Sequence, residues 1–331
     1  MPDRSARPKR STSHSRVFGL ALSAAATLIA LVLAEAALRL LLPEVGKLRE
    51  LVTSTDDERG FAPKPGLRIP FDGVFSPLRR TIVWQTNAEG LRHEGEVGSA
   101  TERFRVATYG DSETFGWAVE LEDTFQRQME RLDPRVEVLN FGVPGYNVTN
   151  VRAHLEGTLS RYQPDLVLYL VNKNDFNEPV TFTALSYSHL LLHLRFLWHF
   201  TIGKQLRLGA RDTLERREIF AREVERMTCF LEARDTPFVL GFLRWKNRTS
   251  LREHVSRSLA ASASGRFRRE LVDVQAALEG ERKEDTHYAE PAHRKLAALL
   301  CRVISGGAGG SCVPPAWRRE GPAADAATAR C

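Results

Sequence analysis

The sequence predicts an α/β protein: a three-layer α/β/α sandwich with a mostly parallel sheet, preceded by one N-terminal transmembrane helix. Three observations predict it. Four short apolar runs, Phe104–Thr108, Val136–Phe141, Leu166–Val171 and Phe238–Phe242, are bounded by turn residues, as strands buried on both faces of a parallel sheet are. The stretches between them have helical length, and one carries Phe220, Val224, Met227 and Leu231 at i, i+4, i+7 and i+11. Near the N-terminus, Val17–Ala34 contains no charge, and with the apolar residues behind it approaches the roughly 20 residues that cross a bilayer.

The elements follow in chain order. Arg4, Arg7, Lys9, Arg10 and Arg16 against Asp3 leave +4 on the first sixteen residues, out of +6 for all 331. The basic excess therefore precedes the apolar run instead of covering a folded domain. That argues against a nucleic-acid binder and predicts a cytoplasmic tail (1–16), an anchor (17–42) and an exported remainder. Ala34-Glu35-Ala36 resembles a small-x-small cleavage site, so a removed signal sequence is the alternative, and a buried core helix the third reading. Apolar residues continue through Leu40-Leu41-Leu42 to Pro43, which favours retention.

Residues 43–100 read as a polar linker and small accessory segment with one short strand at Thr81–Gln85. The main domain spans 101–304, with helices expected at Thr124–Arg131, Val148–Tyr162, Asp212–Arg234 and Pro291–Ile304. Charged residues at 27% and hydrophobic ones at 43% suit a packed core and exclude wholesale disorder. Residues 181–211, rich in Leu, Phe and His, read as an insertion with ordinary helix packing, a cap over the site or a helix near the membrane surface being the alternatives. His189 and His193 share a helical face there, but no acidic residue accompanies them, so packing is preferred to a metal site. Residues 305–331 read as a flexible tail. Cys229, Cys301, Cys312 and Cys331 permit two disulfides in an oxidising compartment, with the pairing open; the alternative is that Cys229 and Cys301 are apolar core residues.

Four blocks converge on one edge of this sheet. The first strand runs into Gly110-Asp111-Ser112, which presents a serine hydroxyl at a helix start where backbone N–H groups can meet an oxyanion. The second ends at Asn140-Phe141-Gly142-Val143-Pro144-Gly145-Tyr146, where a glycine lets backbone approach a ligand. The third ends at Asn172-Lys173-Asn174-Asp175, where a side-chain amide can donate. Glu284-Asp285-Thr286-His287 stands before the last helix, and a carboxylate beside histidine can orient it as general base for a serine. Each block alone is weak, since Gly-Asp-Ser caps helices and Asx residues favour turns; their joint order is what carries the reading.

In these blocks the chain resembles the SGNH, or GDSL, hydrolase superfamily from about Phe104 to Leu300, in a membrane-anchored form similar to polysaccharide O-acetyltransferase relatives. The resemblance implies a flavodoxin-like hydrolase fold, Ser112 as nucleophile, His287 as base, and an oxyanion site made by Ser112, Gly142 and Asn174, with no metal or organic cofactor. Asn172 stands where the family usually has glycine. The common Asp-x-x-His spacing would select Glu284 as acid. The Asp-x-His form of the membrane-linked relatives selects Asp285, as does an extended loop, in which residues two apart face one side. Anchored forms also carry an acid and Leu-Arg at the end of the anchor, as Glu35 and Leu38-Arg39 do here.

The function expected is a membrane-anchored serine esterase or acyl hydrolase outside the cytoplasm, acting on an ester-bearing small molecule, a lipid or a surface polysaccharide. The alternatives are an O-acetyltransferase acting on a cell-surface polysaccharide and a catalytically silent glycan-binding or scaffold module. The acyl group, the acceptor and the oligomeric state are not encoded in these motifs.

Overall fold

The computed structural model describes residues 12–41, 49–55, 57–74, 76–99, 101–176, 188–197, 210–243, 269–307, 311–315 and 317. At its centre lie five parallel strands: β5 (Phe104–Gly110), β6 (Val136–Gly142), β7 (Leu166–Val171), β8 (Phe238–Phe242) and β9 (Arg269–Asp273). Their order is β6-β5-β7-β8-β9, which is the flavodoxin-like 2-1-3-4-5 arrangement.

Helices cover both faces, and successive side chains of each strand serve opposite sides. Ala107, Tyr109, Leu139, Phe141, Val167 and Tyr169 join one core with α4 (Val148–Tyr162) and α6 (Ala210–Glu232). Val106, Val138, Leu166 and Leu168 join the other with α3 (Phe125–Leu132) and α7 (Glu290–Ile304). The four expected strands and four expected helices stand within two residues of where the apolar pattern puts them. The fifth strand was not expected. Its sequence, Arg-Glu-Leu-Val-Asp, lies on the sheet edge and carries too few apolar residues to register as a buried run.

The segment before the sheet is more structured than its composition suggests. Two antiparallel pairs form, β1 (Val52–Ser54) with β2 (Phe61–Pro63) and β3 (Arg68–Phe71) with β4 (Ile82–Gln85). Phe61, Phe71 and Trp84 are fully buried and extend the first core. Trp84 stacks on Phe71 with centroids 3.7 Å apart and donates its indole N–H to the Trp117 carbonyl at 3.0 Å. Single aromatics separated by proline, glycine and charge have no periodicity, which is why this packing is invisible in the pattern.

The N-terminal helix α1 (Thr12–Leu41) contains a stretch, Arg16–Leu41, long and apolar enough to cross a membrane, with most of its side chains exposed. At the other end of the chain, Cys301 and Cys312 form a disulfide, the Cys312 N–H donates to Asp133, and Trp317 meets the Phe104 ring edge-on at 5.4 Å. Part of the segment read as a tail thus lies against the domain. Cys229 is disulfide-bonded as well. Most of the expected insertion, 181–211, lies outside the described residues; within it stands α5 (His189–Leu197). There His193 Nδ1 lies 3.1 Å from the His189 carbonyl, an ordinary helical contact.

The disulfide closes a short loop, and such crosslinks stabilise by about 2–4 kcal/mol. A Cys301→Ser/Cys312→Ser variant should lose that much in urea unfolding and keep the circular-dichroism signature of the α/β sheet.

Candidate active site

The Gly110-Asp111-Ser112 block is shaped by a sharp exit from β5. A Cβ on Gly110 would lie 2.1 Å from Thr114 Oγ1, so the chain can fold back into helix α2 (Ser112–Phe115) because no side chain is there. Asp111 caps this helix, its Oδ1 accepting the Glu113 N–H at 2.9 Å. Ser112 is the first helical residue, and its N–H has no intrahelical acceptor. The far end is closed by Arg92. Its guanidinium donates to the carbonyls of Phe115, Gly116 and Val119 at 3.0, 2.5 and 2.5 Å. Burial lowers the Arg92 pKa to about 9, which leaves it charged at neutral pH. No motif signalled Arg92.

Ser112 Oγ lies 2.7 Å from His287 Nε2, across a separation of 175 residues, and both residues are buried. His287 comes from a two-residue hairpin, β10 (Lys283–Glu284) against β11 (His287–Tyr288). Its turn residues Asp285 and Thr286 have φ of 44° and 69°, the left-handed pair that a tight hairpin turn requires and a β-branched threonine disfavours. The loop expected to be extended is therefore a turn, and this changes what each acid does. His287 Nδ1 lies 2.7 Å from the main-chain carbonyl of Asp285. A carbonyl can only accept, so Nδ1 carries the hydrogen and Nε2 keeps a lone pair for the Ser112 hydroxyl.

The Asp285 carboxylate reaches back to the accessory segment. It accepts the N–H of Val74 at 2.7 Å, the N–H of Ser76 at 2.6 Å and the Trp117 indole N–H at 2.7 Å. Gly73, at φ 104°, lets that loop wrap the acid; a Cβ there would lie 2.1 Å from the Ser76 carbonyl. Trp117 in turn stacks on the His287 ring, centroids 5.0 Å apart. Glu284 accepts from the Arg79 N–H at 3.2 Å and from Arg282 Nη2 at 2.7 Å.

The amide block sits on the 3-10 turn Lys173–Phe176. Asn174 and Asn172 each donate a side-chain N–H to Asp111 Oδ2 at 2.8 Å. Asn172 thus supplies a second donor to the acid beside Ser112. One hydrogen of the Asn174 amide remains for another acceptor. Burial, with Glu113 nearby, raises the Asp111 pKa. Burial and then Asp111 hold Asp175 well above the usual carboxylate range, while it accepts from Tyr169 Oη and the Asn172 N–H.

Gly142 is placed differently from its expected part. Its N–H donates to Asn140 Oδ1 at 2.9 Å, and a Cβ on it would lie 2.3 Å from the Phe115 nitrogen. Its role in the fold is close contact between β6 and the helix that carries Ser112. Three residues on, the Gly145 N–H meets no acceptor among the described residues. Gly145 has φ 91° and the Tyr146 N–H returns to the Val143 carbonyl, so Val143–Tyr146 is a turn with proline second and glycine third. That Pro-Gly signature was available in the sequence as the mark of a type II turn.

His293, the other histidine of this region, is fully buried. Its Nδ1 accepts the Phe125 N–H at 3.2 Å, and burial, followed by the Arg92 charge, lowers its pKa to about 3.

No protein-family profile and no curated protein sequence matches the chain. Among solved structures it is similar to a member of the lipolytic protein G-D-S-L family from Veillonella parvula (14% identity, 61% of this chain and 98% of that one, TM-score 0.40). It is also similar to the psychrotrophic esterase EstA from a Pseudoalteromonas species (13%, 61% and 97%, 0.42) and to a GDSL-like lipase from Bacteroides thetaiotaomicron (13%, 63% and 93%, 0.38).

Two expectations follow. Gly142→Ala should destabilise the protein by about 1–3 kcal/mol through overpacking against Phe115, measured by urea unfolding; at Gly145 a Cβ would meet only Phe61, at 3.7 Å, and the strain of a substitution there comes from its φ of 91° instead. A histidine in the unfolded chain protonates near 6.5, and His293 does so near 3. Between those values the unfolded state binds more protons, so His293 makes stability rise with pH. His293→Gln should flatten the stability–pH slope between about pH 4 and 6 by roughly 1.4 kcal/mol per pH unit; an unchanged slope would show that His293 charges freely in the folded state.

Proposed function

We propose that the protein is a membrane-anchored serine esterase whose domain faces away from the cytoplasm. The observation that carries the reaction is the 2.7 Å contact of Ser112 Oγ with a His287 whose other nitrogen is fixed on a carbonyl. Ser112 attacks the ester carbonyl while Nε2 takes its proton. The tetrahedral oxyanion is held by the N–H of Ser112, the N–H of Gly145 and the free amide hydrogen of Asn174. Gly145 takes the part expected of Gly142, whose N–H is engaged by Asn140. As the intermediate collapses, the alkoxide leaves with the proton from Nε2. Water, deprotonated by the same nitrogen, then releases the acid from Ser112.

Asp285 orients the imidazole through its main-chain carbonyl and pins the turn through its carboxylate. Export is supported by the basic residues before the apolar helix and by the bonded cysteines, since disulfides persist in oxidising compartments.

The test is turnover of p-nitrophenyl acetate, with and without a polysaccharide acceptor, by the wild type and Ser112→Ala. Ser112→Ala should abolish release of acetate and change stability by no more than about 1 kcal/mol. Transfer of acetate to the polysaccharide in place of water would redefine the enzyme as an acetyltransferase, and persistent turnover in the variant would refute the site. Asn174→Ala should lower kcat roughly 100- to 1,000-fold with KM little changed, as expected for a donor used in the transition state.

A further inference from the structure

Glu35 is the sole acidic residue of helix α1. A carboxylate within an apolar span is costly and normally has a partner. One partner is its own neighbour, Arg39 Nε, at 2.7 Å. The others are distant in sequence: Glu35 accepts from Ser188 Oγ at 2.8 Å, the His189 N–H at 3.0 Å and the Leu190 N–H at 2.9 Å. These are donors at the start of α5, where backbone N–H groups have no intrahelical acceptor. Ser188 Oγ takes the next one, from Leu191, at 3.1 Å. The acid of one helix thus caps another helix more than 150 residues away.

The contact is confined to one face of the anchor's last turns. Ala34, Glu35 and Leu38 are half-buried, and the rest of the described anchor side chains are exposed. On the other partner, Leu191 and Leu194 lie three residues apart on one side of α5 and are 40% and 51% exposed. Depth decides what covers them. Glu35 precedes the end of the apolar stretch at Leu41 by six residues, about 9 Å along a helix. That is the depth, roughly 5–10 Å, at which amphipathic helices settle at the headgroup boundary.

We infer that residues 189–197 form an interfacial helix lying in the bilayer beside the anchor, with Leu191 and Leu194 in the lipid, and that Glu35 clamps it there. The inference rests on the reading of α1 as a membrane span. It also requires that span to be retained, because cleavage around Ala34-Glu35-Ala36 would remove or free the acceptor of three donors.

The test places a nitroxide on Leu191→Cys, Leu194→Cys or Leu28→Cys in the full chain, reconstituted in phosphatidylethanolamine/phosphatidylglycerol vesicles. Collisions with oxygen and with a water-soluble nickel chelate then report lipid or aqueous exposure. Lipid exposure is expected at all three positions. In Glu35→Ala and Glu35→Gln, positions 191 and 194 should move toward aqueous exposure, most in Glu35→Ala, with position 28 unchanged. Aqueous exposure at 191 and 194 beside a lipid-exposed 28 would overturn the interfacial helix and leave the anchor standing. Aqueous exposure at all three would overturn both. Lipid exposure unaffected by either Glu35 substitution would overturn the clamp.

Discussion

The turn at Asp285 and Thr286 decides where His287 stands, and both of its residues hold a backbone conformation that side chains other than glycine disfavour. Such residues cost about 1–3 kcal/mol each. What holds them is the Asp285 carboxylate, buried and met by two backbone N–H groups and an indole. Hydrogen bonds to a charged group are worth about 1.5–3 kcal/mol apiece, enough together to offset the strain. The geometry that aims Nε2 at the serine is therefore secured by Gly73, Val74, Ser76 and Trp117, far from the histidine in sequence.

The same logic holds on the side of Ser112. Asp111 joins three things: the start of the Ser112 helix and the two amides of Asn172 and Asn174. Arg92 closes the other end of that helix. Gly142 lets β6 approach it closely enough to touch the Phe115 backbone. The serine is held on a short helix fastened at both ends and along one side, the kind of preorganisation that an oxyanion site needs.

Legibility in the sequence followed physical signal. Leu166–Val171 and Phe238–Phe242 were readable because parallel strands buried on both faces are continuous apolar runs, and the edge strand Arg269–Asp273 was not because three of its five residues are charged. Ser112, His287 and Asn174 stood out because reactive residue types fell at strand ends or before the last helix. Gly142 drew attention as the glycine nearest the strand, while the turn-forming Pro144-Gly145 pair was the better pointer to an unused N–H. The part of Asp285 was half readable. Its adjacency to His287 was plain, but whether its carbonyl or its carboxylate faces the ring depends on the turn, and the turn depends on a loop some two hundred residues upstream. Arg92 and Trp117 act through contacts of that kind and carry no local pattern.

On the proposed mechanism, His287 makes Ser112 a nucleophile. This is tested most directly by peptide mapping after reaction with an organophosphonate ester. The expected result is one covalent adduct, on the peptide containing Ser112, formed by the wild type and lost in His287→Ala. An adduct on another serine, no adduct in the wild type, or undiminished labelling of Ser112 in His287→Ala would contradict it.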